Sequence, residues 1–340
     1  MQPLEGEALG SWIDAMAKDR GIAVKQLLRE FHLHKLGTLA IGQTRLPTPA
    51  ILRICRLTGV GEPALHAMTL ARFAGNALPH LPPNLEADAG AIGQWHAGAW
   101  LCDRHLRWCP RCLRENGRRW SLRWLLPWTF ACLKHRVYLA SECQRCQSVV
   151  TPGADCTFPS RCEAGTANER FHRYGYDERC DFPVTKYLPV PVSDSAVLSL
   201  QARINAWLDG APTADDRRLV SLTAVLTMLL SPAMLRRGDP VLLFAVRSLR
   251  APRPWQERAL WTDPLRVAAA ACAADRMLQS NDSAAEVAHL IADYRTVDYR
   301  TTPWRLDAMD WAYGPALRPN VYVDELVRRG TITIGSYHLR

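Results

Sequence analysis

The sequence predicts a mainly α fold with a small cysteine-rich module at its centre. Apolar residues recur at helical spacing in the first 75 residues and again after residue 190. Paired cysteines cluster between these two regions, and stretches rich in Pro and Gly separate the parts. We therefore expect an N-terminal helical domain over residues 1–78, a connector over 79–100, a cysteine module over 101–187 and a C-terminal helical domain over 188–340.

Bulk composition is that of a globular protein that can bury a sizeable core. The chain has 340 residues, of which 48% are hydrophobic and 22% charged. Its longest strictly apolar stretch, Val267 to Ala274, is far shorter than the roughly 18 residues that would indicate a spanning helix. The acidic start, Met1 to Glu7, does not resemble a secretory signal. We therefore expect a cytoplasmic protein without a membrane segment.

The N-terminal region reads as short helices separated by turns. Ser11 is a candidate cap for a helix that stops before Gly21, and a second helix follows. A third runs from Thr48 to a stop near Gly59, and Pro63 opens a fourth. The first pair has helix-turn-helix spacing, in which the second helix would offer Lys25 and Arg29 to a DNA groove. Plain core packing is the alternative, because any three-helix bundle contains such a pair.

The C-terminal region is again helical in its apolar pattern, and we expect helices at about 195–209, 215–230, 240–249, 263–279 and 283–294. The last 40 residues contain one strand-like run, 331–334.

Eleven cysteines in an intracellular chain need an explanation other than disulfides, because cytoplasmic thiols are kept reduced. Eight lie between Cys102 and Cys162, and a ninth is Cys180. Cys55 and Cys272 stand alone in apolar helical patterns and are expected to be small core residues. Metal binding is the best explanation for the remaining cluster.

Four residues form two knuckles with zinc-ligand spacing: Cys109, Cys112, Cys132 and His135. Each knuckle presents two ligands on a tight turn, and two facing knuckles complete the tetrahedron that Zn²⁺ accepts. Four protein ligands leave no position for a reactive water, so this site is predicted to be structural. The central module is therefore predicted to be of tandem zinc-ribbon or zinc-finger type.

A second Zn²⁺ site is predicted to begin at Cys143 and Cys146. Cys162 and Cys180 are the favoured partners because they leave roughly equal loops after the first knuckle, and Cys156 is the main competitor. Cys102 and His105 have knuckle spacing too, but no further pair remains to complete a site.

Basic charge is concentrated in the same module. Residues 100–140 supply +7 of the formal net charge of +9. Clustered basic charge on one module indicates a polyanion partner such as double-stranded DNA, and a solvated basic face is the alternative. The loop between the knuckles interleaves large aromatics, most of which should pack the module, with basic side chains that could bind phosphate: Arg114, Arg118, Arg119 and Arg123.

The sequence contains no nucleophile paired with a base, no phosphate-binding glycine loop and no spaced carboxylate pair that stands out. This pattern favours a binding protein over an enzyme.

Several motifs together resemble the TniQ family in matching order. They are Pro3 to Glu7 with Ser11-Trp12, Leu57 to Gly59, Met68 to Leu70, Trp108 to Leu113, Trp124 to Trp128, Cys132 to His135, and Cys143 to Cys146. The resemblance covers roughly the first 190 residues. Downstream, the run Cys156 to Cys162 and the isolated Cys180 replace the compact second knuckle of the family.

The resemblance implies a target-selection protein of a transposon, an adaptor that connects a DNA site, or an RNA-guided effector complex bound there, to an AAA+ ATPase that recruits the transposase. It also implies that Cys109, Cys112, Cys132 and His135 match the first zinc site and that Cys143 and Cys146 begin the second. A stand-alone zinc-containing transcriptional regulator is the alternative, and a metal-dependent nuclease is a third reading. Whether the C-terminal region contacts DNA, contacts the ATPase or forms a homodimer is left open.

Overall fold

A computed structural model describes residues 1–33, 44–74, 78, 81, 105–152, 158–164, 180–210, 218–230 and 263–282.

The N-terminal helices enclose a small core of their own. They are α1 (Leu9–Asp19), α2 (Val24–Glu30), α3 (Thr48–Thr58) and α4 (Glu62–Ala67), followed by a 3₁₀ turn at Leu70–Phe73. Trp12 of α1 stacks on Phe31, just after α2, with ring centroids 6.4 Å apart. The ends predicted at the glycines are confirmed, since α1 ends before Gly21 and α3 ends at Gly59, whose φ of 72° is left-handed.

The prediction that Ser11 caps α1 is wrong. The residue at the cap position is Ala8, which makes no side-chain cap hydrogen bond, and Ser11 lies buried in the first turn. Its hydroxyl donates to Glu7 Oε1 at 2.8 Å and accepts the backbone N–H of Trp120 at 2.8 Å. Ser11 is therefore engaged in a contact between regions distant in sequence, which local capping preference cannot reveal.

The central region contains little regular structure. It comprises α5 (Pro110–Glu115), 3₁₀ turns at Leu122–Leu125 and Val184–Lys186, and the antiparallel strands β1 (Ala131–Cys132) and β2 (Val137–Tyr138). The extended segment after Tyr187 pairs with β2, because the N–H of Tyr138 donates to Val190 O at 2.9 Å. This pairing joins the start of the predicted C-terminal region to the cysteine module.

Three of the predicted C-terminal helices are confirmed: α6 (Ser195–Asp209), α7 (Arg218–Leu229) and α8 (Pro264–Gln279). Asp194 and Asp263 cap α6 and α8 by accepting backbone N–H groups. The helices expected at about 240–249 and 283–294, the strand-like run at 331–334 and nearly all of the connector lie outside the described residues.

One hydrophobic core runs through the central region and α6 to α8, and it is separate from the core of α1 to α4. Buried polar groups bind α6 to the cysteine module. The Gln201 side chain accepts the N–H groups of Phe130 and Ala131 at 2.9 and 3.0 Å and donates to Trp128 O. The N–H groups of Phe130 and Ala131 are therefore satisfied by a side chain of a helix, while β1 also pairs with β2.

The eight α-helices and two short strands among the described residues confirm the mainly α fold class. No helix in this part of the chain combines the length and the apolar character needed to cross a bilayer.

Candidate metal centres and nucleic-acid interface

The first cluster brings together Cys109, Cys112, Cys132 and His135. Cys109 and Cys112 lie at the start of α5, Cys132 lies on β1, and His135 lies in the turn before β2. The antiparallel pairing of β1 with β2 turns the second knuckle back on itself, so that it faces the helical first knuckle.

The distances between the ligand atoms of this cluster fit a tetrahedrally coordinated cation. The Nδ1 atom of His135 lies 3.3 Å from Cys112 Sγ and 3.5 Å from the Sγ atoms of Cys109 and Cys132. The sulfurs of Cys112 and Cys132 are 3.6 Å apart. A tetrahedral zinc with ordinary bond lengths requires S to N edges of about 3.5 Å and S to S edges of about 3.8 Å. The donor set therefore could hold a metal ion of this kind.

The second cluster consists of Cys143, Cys146, Cys162 and Cys180, all buried. A tight turn closes the first pair, with the N–H of Gln147 donating to Cys143 O at 2.8 Å. The second pair is aligned by two backbone bonds, Cys162 N–H to Phe182 O and Cys180 N–H to Ala164 O. The structure thus brings together the four cysteines favoured from the sequence, whereas the competitor Cys156 lies outside the described residues, as does Cys102.

The thiols within each cluster affect the protonation of one another. Hydrogen bonds from Cys109 and Cys112 lower the pKa of the Cys132 thiol to about 3, while hydrogen bonding to Cys109 and Cys132 raises the pKa of Cys112. Burial raises the pKa of the Cys180 thiol to about 11. The charge of one thiolate thus holds protons on its neighbours, and a divalent cation would replace those protons.

The two isolated cysteines do not join either cluster. Cys55 packs partly buried against the N-terminal core and Cys272 against the larger core, which agrees with the prediction that both are small core residues.

The aromatics of the loop between the knuckles are buried. Trp120, Trp124, Trp128 and Phe130 expose no more than 6% of their surface. Trp120 contacts Trp108, Trp124 and Phe158 with ring centroids 5.1–6.0 Å apart. These rings form the core of the module, as expected for most of them, and are not available for stacking on bases.

The loop arginines have different environments. Arg119 ion-pairs through Nε and Nη2 with the carboxylate of Glu7, which is 1% exposed, and Arg123 ion-pairs with Asp209 of α6. Arg114 donates to the backbone oxygen of Thr185 at 3.1 Å. Arg118 is exposed and, like the preceding Gly117, has a left-handed backbone, with φ of 70°. This turn directs neighbouring arginines to different surroundings.

The N-terminal helices are docked on this loop. The N–H of Ala8 donates to Trp120 O at 2.9 Å, and the N–H of Leu122 donates to Gly6 O at 2.8 Å. Glu7 supplies the centre of the contact, since it accepts from Ser11, from Leu4 N–H and from Arg119. Sequence reasoning missed Glu7 because nothing in its local pattern indicates a partner 112 residues away.

A cleft of about 400 Å³ lies at this junction. Lys18 and Lys25 from the helices and Arg118 from the loop line it, together with the carboxylates of Asp14 and Glu163. The structure therefore brings to one cleft Lys25, predicted to face a DNA groove, and Arg118, predicted to bind phosphate. Arg29 of α2 is exposed but does not line it.

Residues 1–139 match the model of the TniQ family, which confirms the resemblance over the N-terminal helices and the first cluster. No curated protein and no solved structure shows significant similarity to the chain.

Proposed function

We propose that the chain is a non-enzymatic DNA-targeting adaptor of a transposition system, because residues 1–139 match the TniQ family model. In this role it links a DNA site, or a complex bound at that site, to an AAA+ ATPase and through it to the transposase. The family match supports a DNA-targeting role associated with transposition. The placement of Lys25 and Arg118 at one cleft is the structural observation that carries the proposal for this chain.

Both clusters, in this proposal, hold structural Zn²⁺. Four Cys or His donors around each position leave no open coordination site, and neither candidate metal cluster among the described residues contains a carboxylate. Mg²⁺ takes oxygen ligands, so neither cluster suits that ion. The metals would hold the loop that carries Arg118 in one conformation. Little of the free energy of DNA binding would then be lost in ordering that loop.

The DNA surface that we propose centres on Lys25, Arg29 and Arg118, and Arg114 of α5 is a further exposed candidate. Arg119 and Arg123 are left out, because each guanidinium is paired with a carboxylate of the same chain. A phosphate contact by either would require breaking that pair. The positive face therefore draws on two regions that are held together by the Glu7 and Arg119 contact.

Salt dependence of DNA binding tests this surface. Each phosphate contact that is lost should reduce the slope of log K against log salt by about 0.9, so Lys25→Ala and Arg118→Ala should each flatten it by about one unit. Arg145→Ala is the matched control, since Arg145 is an exposed arginine that does not line the cleft and pairs with Asp181. Unchanged slopes for Lys25→Ala and Arg118→Ala would remove this cleft from the DNA surface.

Recruitment separates an adaptor from the alternative, a stand-alone transcriptional regulator. Immobilised DNA that the chain binds is incubated with an AAA+ ATPase regulator of a transposition system, with or without the chain. An adaptor retains the ATPase on DNA only when the chain is present and loses it with the Lys25→Ala and Arg118→Ala double variant. Binding of the chain to DNA with no effect on ATPase retention would instead indicate a regulator.

A further inference from the structure

His135 presents its two ring nitrogens to different partners. Nδ1 faces the three sulfurs of the first cluster at 3.3–3.5 Å. Nε2 lies 2.8 Å from Oε1 of Glu115, within hydrogen-bonding distance. The His135 side chain is 9% exposed, so the ring is held between the cluster and this carboxylate.

Glu115 reaches the ring from the opposite knuckle. It is the last residue of α5 and lies three positions after Cys112, so the two side chains share one face of the helix. Its other oxygen, Oε2, accepts from Lys134 Nζ at 2.6 Å. Both carboxylate oxygens are therefore engaged by the second knuckle.

The residue preferences at helix ends do not explain why a glutamate occupies position 115. A carboxylate in the last turn of a helix lies at the end where the helix dipole disfavours negative charge. The contacts of Glu115 with His135 and Lys134 offset that cost, and both depend on the two knuckles facing each other. The Glu115 carboxylate is therefore stabilised by its contacts with the second knuckle and not by its position in the helix.

We propose that Glu115 is the positioning residue of the first metal site. Its carboxylate accepts a hydrogen bond from the Nε2–H of His135, and this leaves the Nδ1 lone pair free to point at the cation. This inference rests on the proposed metal site. A carboxylate behind a ligating imidazole fixes the ring orientation and its tautomer and increases the basicity of the ligand. The second cluster has four cysteines and no histidine, so it has no counterpart of this contact.

Metal affinity at the two sites tests the role of Glu115, using the full chain and a competing chelator. Co²⁺ substitution distinguishes the sites, since a ligand set of three sulfurs and one nitrogen and a set of four sulfurs absorb differently. Glu115→Ala should weaken the first site by about 10- to 100-fold and leave the second unchanged. Glu115→Gln should lose less, because its amide oxygen can still accept from Nε2.

Lys134→Ala is the matched control, because it removes the other partner of Glu115 and leaves the contact with His135 in place. Its first-site affinity should stay within about threefold of the unmodified chain. A Glu115→Ala variant that binds metal normally would overturn the inference, as would a Glu115→Gln loss as large as that of Glu115→Ala, equal losses at both sites or an equal loss in Lys134→Ala. An unmodified chain that binds no metal at the first cluster would overturn the proposed site as well.

Discussion

Arg119, in the loop between the two knuckles, forms an ion pair with the buried carboxylate of Glu7, 112 residues earlier in the chain. The same carboxylate accepts from the Ser11 hydroxyl and from the N–H of Leu4. The N-terminal helices and the cysteine module are thus joined by a buried charge pair whose other hydrogen bonds are also satisfied. This contact joins the segment before α1 to the loop that carries Arg118 and Arg119.

Arg119 and its neighbour Arg118 should therefore differ in their effects on stability. Arg119→Ala leaves Glu7 buried without its cation and should lower the free energy of unfolding by about 3–5 kcal/mol. Arg118→Ala removes an exposed side chain and should change it by less than about 0.5 kcal/mol. Urea denaturation of the two variants measures the difference. Similar stabilities for both would show that the ion pair does not hold the two regions together.

Substitution of Gln201 should lower the free energy of unfolding more than substitution of most other polar residues of α6. Gln201→Leu leaves the buried N–H groups of Phe130 and Ala131 without an acceptor and should cost about 2–3 kcal/mol of unfolding free energy. Ser199→Ala, at an exposed position of the same helix, is the control and should be close to neutral. Thermal denaturation compares the two, and a neutral Gln201→Leu would contradict the bridging role.

Loss of the first metal should loosen the docking of the N-terminal helices. In Cys112→Ser, we expect faster hydrogen exchange at the amides of Ala8, Trp120 and Leu122, which bond across that contact. Cys55→Ser is the matched control, because Cys55 lies in the other core. Hydrogen exchange read by mass spectrometry makes the comparison. Equal protection of these amides in both variants would show that the docking of the N-terminal helices does not depend on the metal site.

Cys272 should react slowly with alkylating agents. Burial raises the pKa of its thiol to about 11, so at pH 8 it carries less of the reactive thiolate than an ordinary cysteine. Its alkylation at pH 8 should be roughly a hundredfold slower than in the denatured chain and should rise steadily towards pH 11. Peptide mapping after iodoacetamide treatment follows it. A rate that levels off near pH 8.5 would show that burial does not hold the proton.

Local sequence patterns were enough to predict where α1 and α3 end and which cysteines lie together. Gly21 and Gly59 adopt the left-handed backbone that ends a helix, and their position is visible in the sequence. The cysteine pairs have short spacings, and roughly equal loops after the first pair led to Cys162 and Cys180, which the structure places in the second cluster. Signals of this kind depend on residues close together in the chain.

Contacts between distant segments could not be predicted in the same way. Ser11 looks like a helix cap, and only the fold shows that its hydroxyl accepts from Trp120. Arg118 and Arg119 are equivalent in composition and charge pattern, yet a left-handed turn leaves one exposed and pairs the other with Glu7. The sequence shows that Glu115 lies about one helical turn after Cys112, which places it near the first cluster. Its contact with His135 in the other knuckle could be seen only in the fold.

The zinc content of the purified chain tests the central claim most directly, because in the proposed account the loop and the basic cleft depend on occupied clusters. Native mass spectrometry with elemental analysis should find two zinc ions per chain, and one fewer in either Cys112→Ser or Cys146→Ser. A folded chain that carries no zinc and keeps its thermal stability in excess chelator would contradict the account.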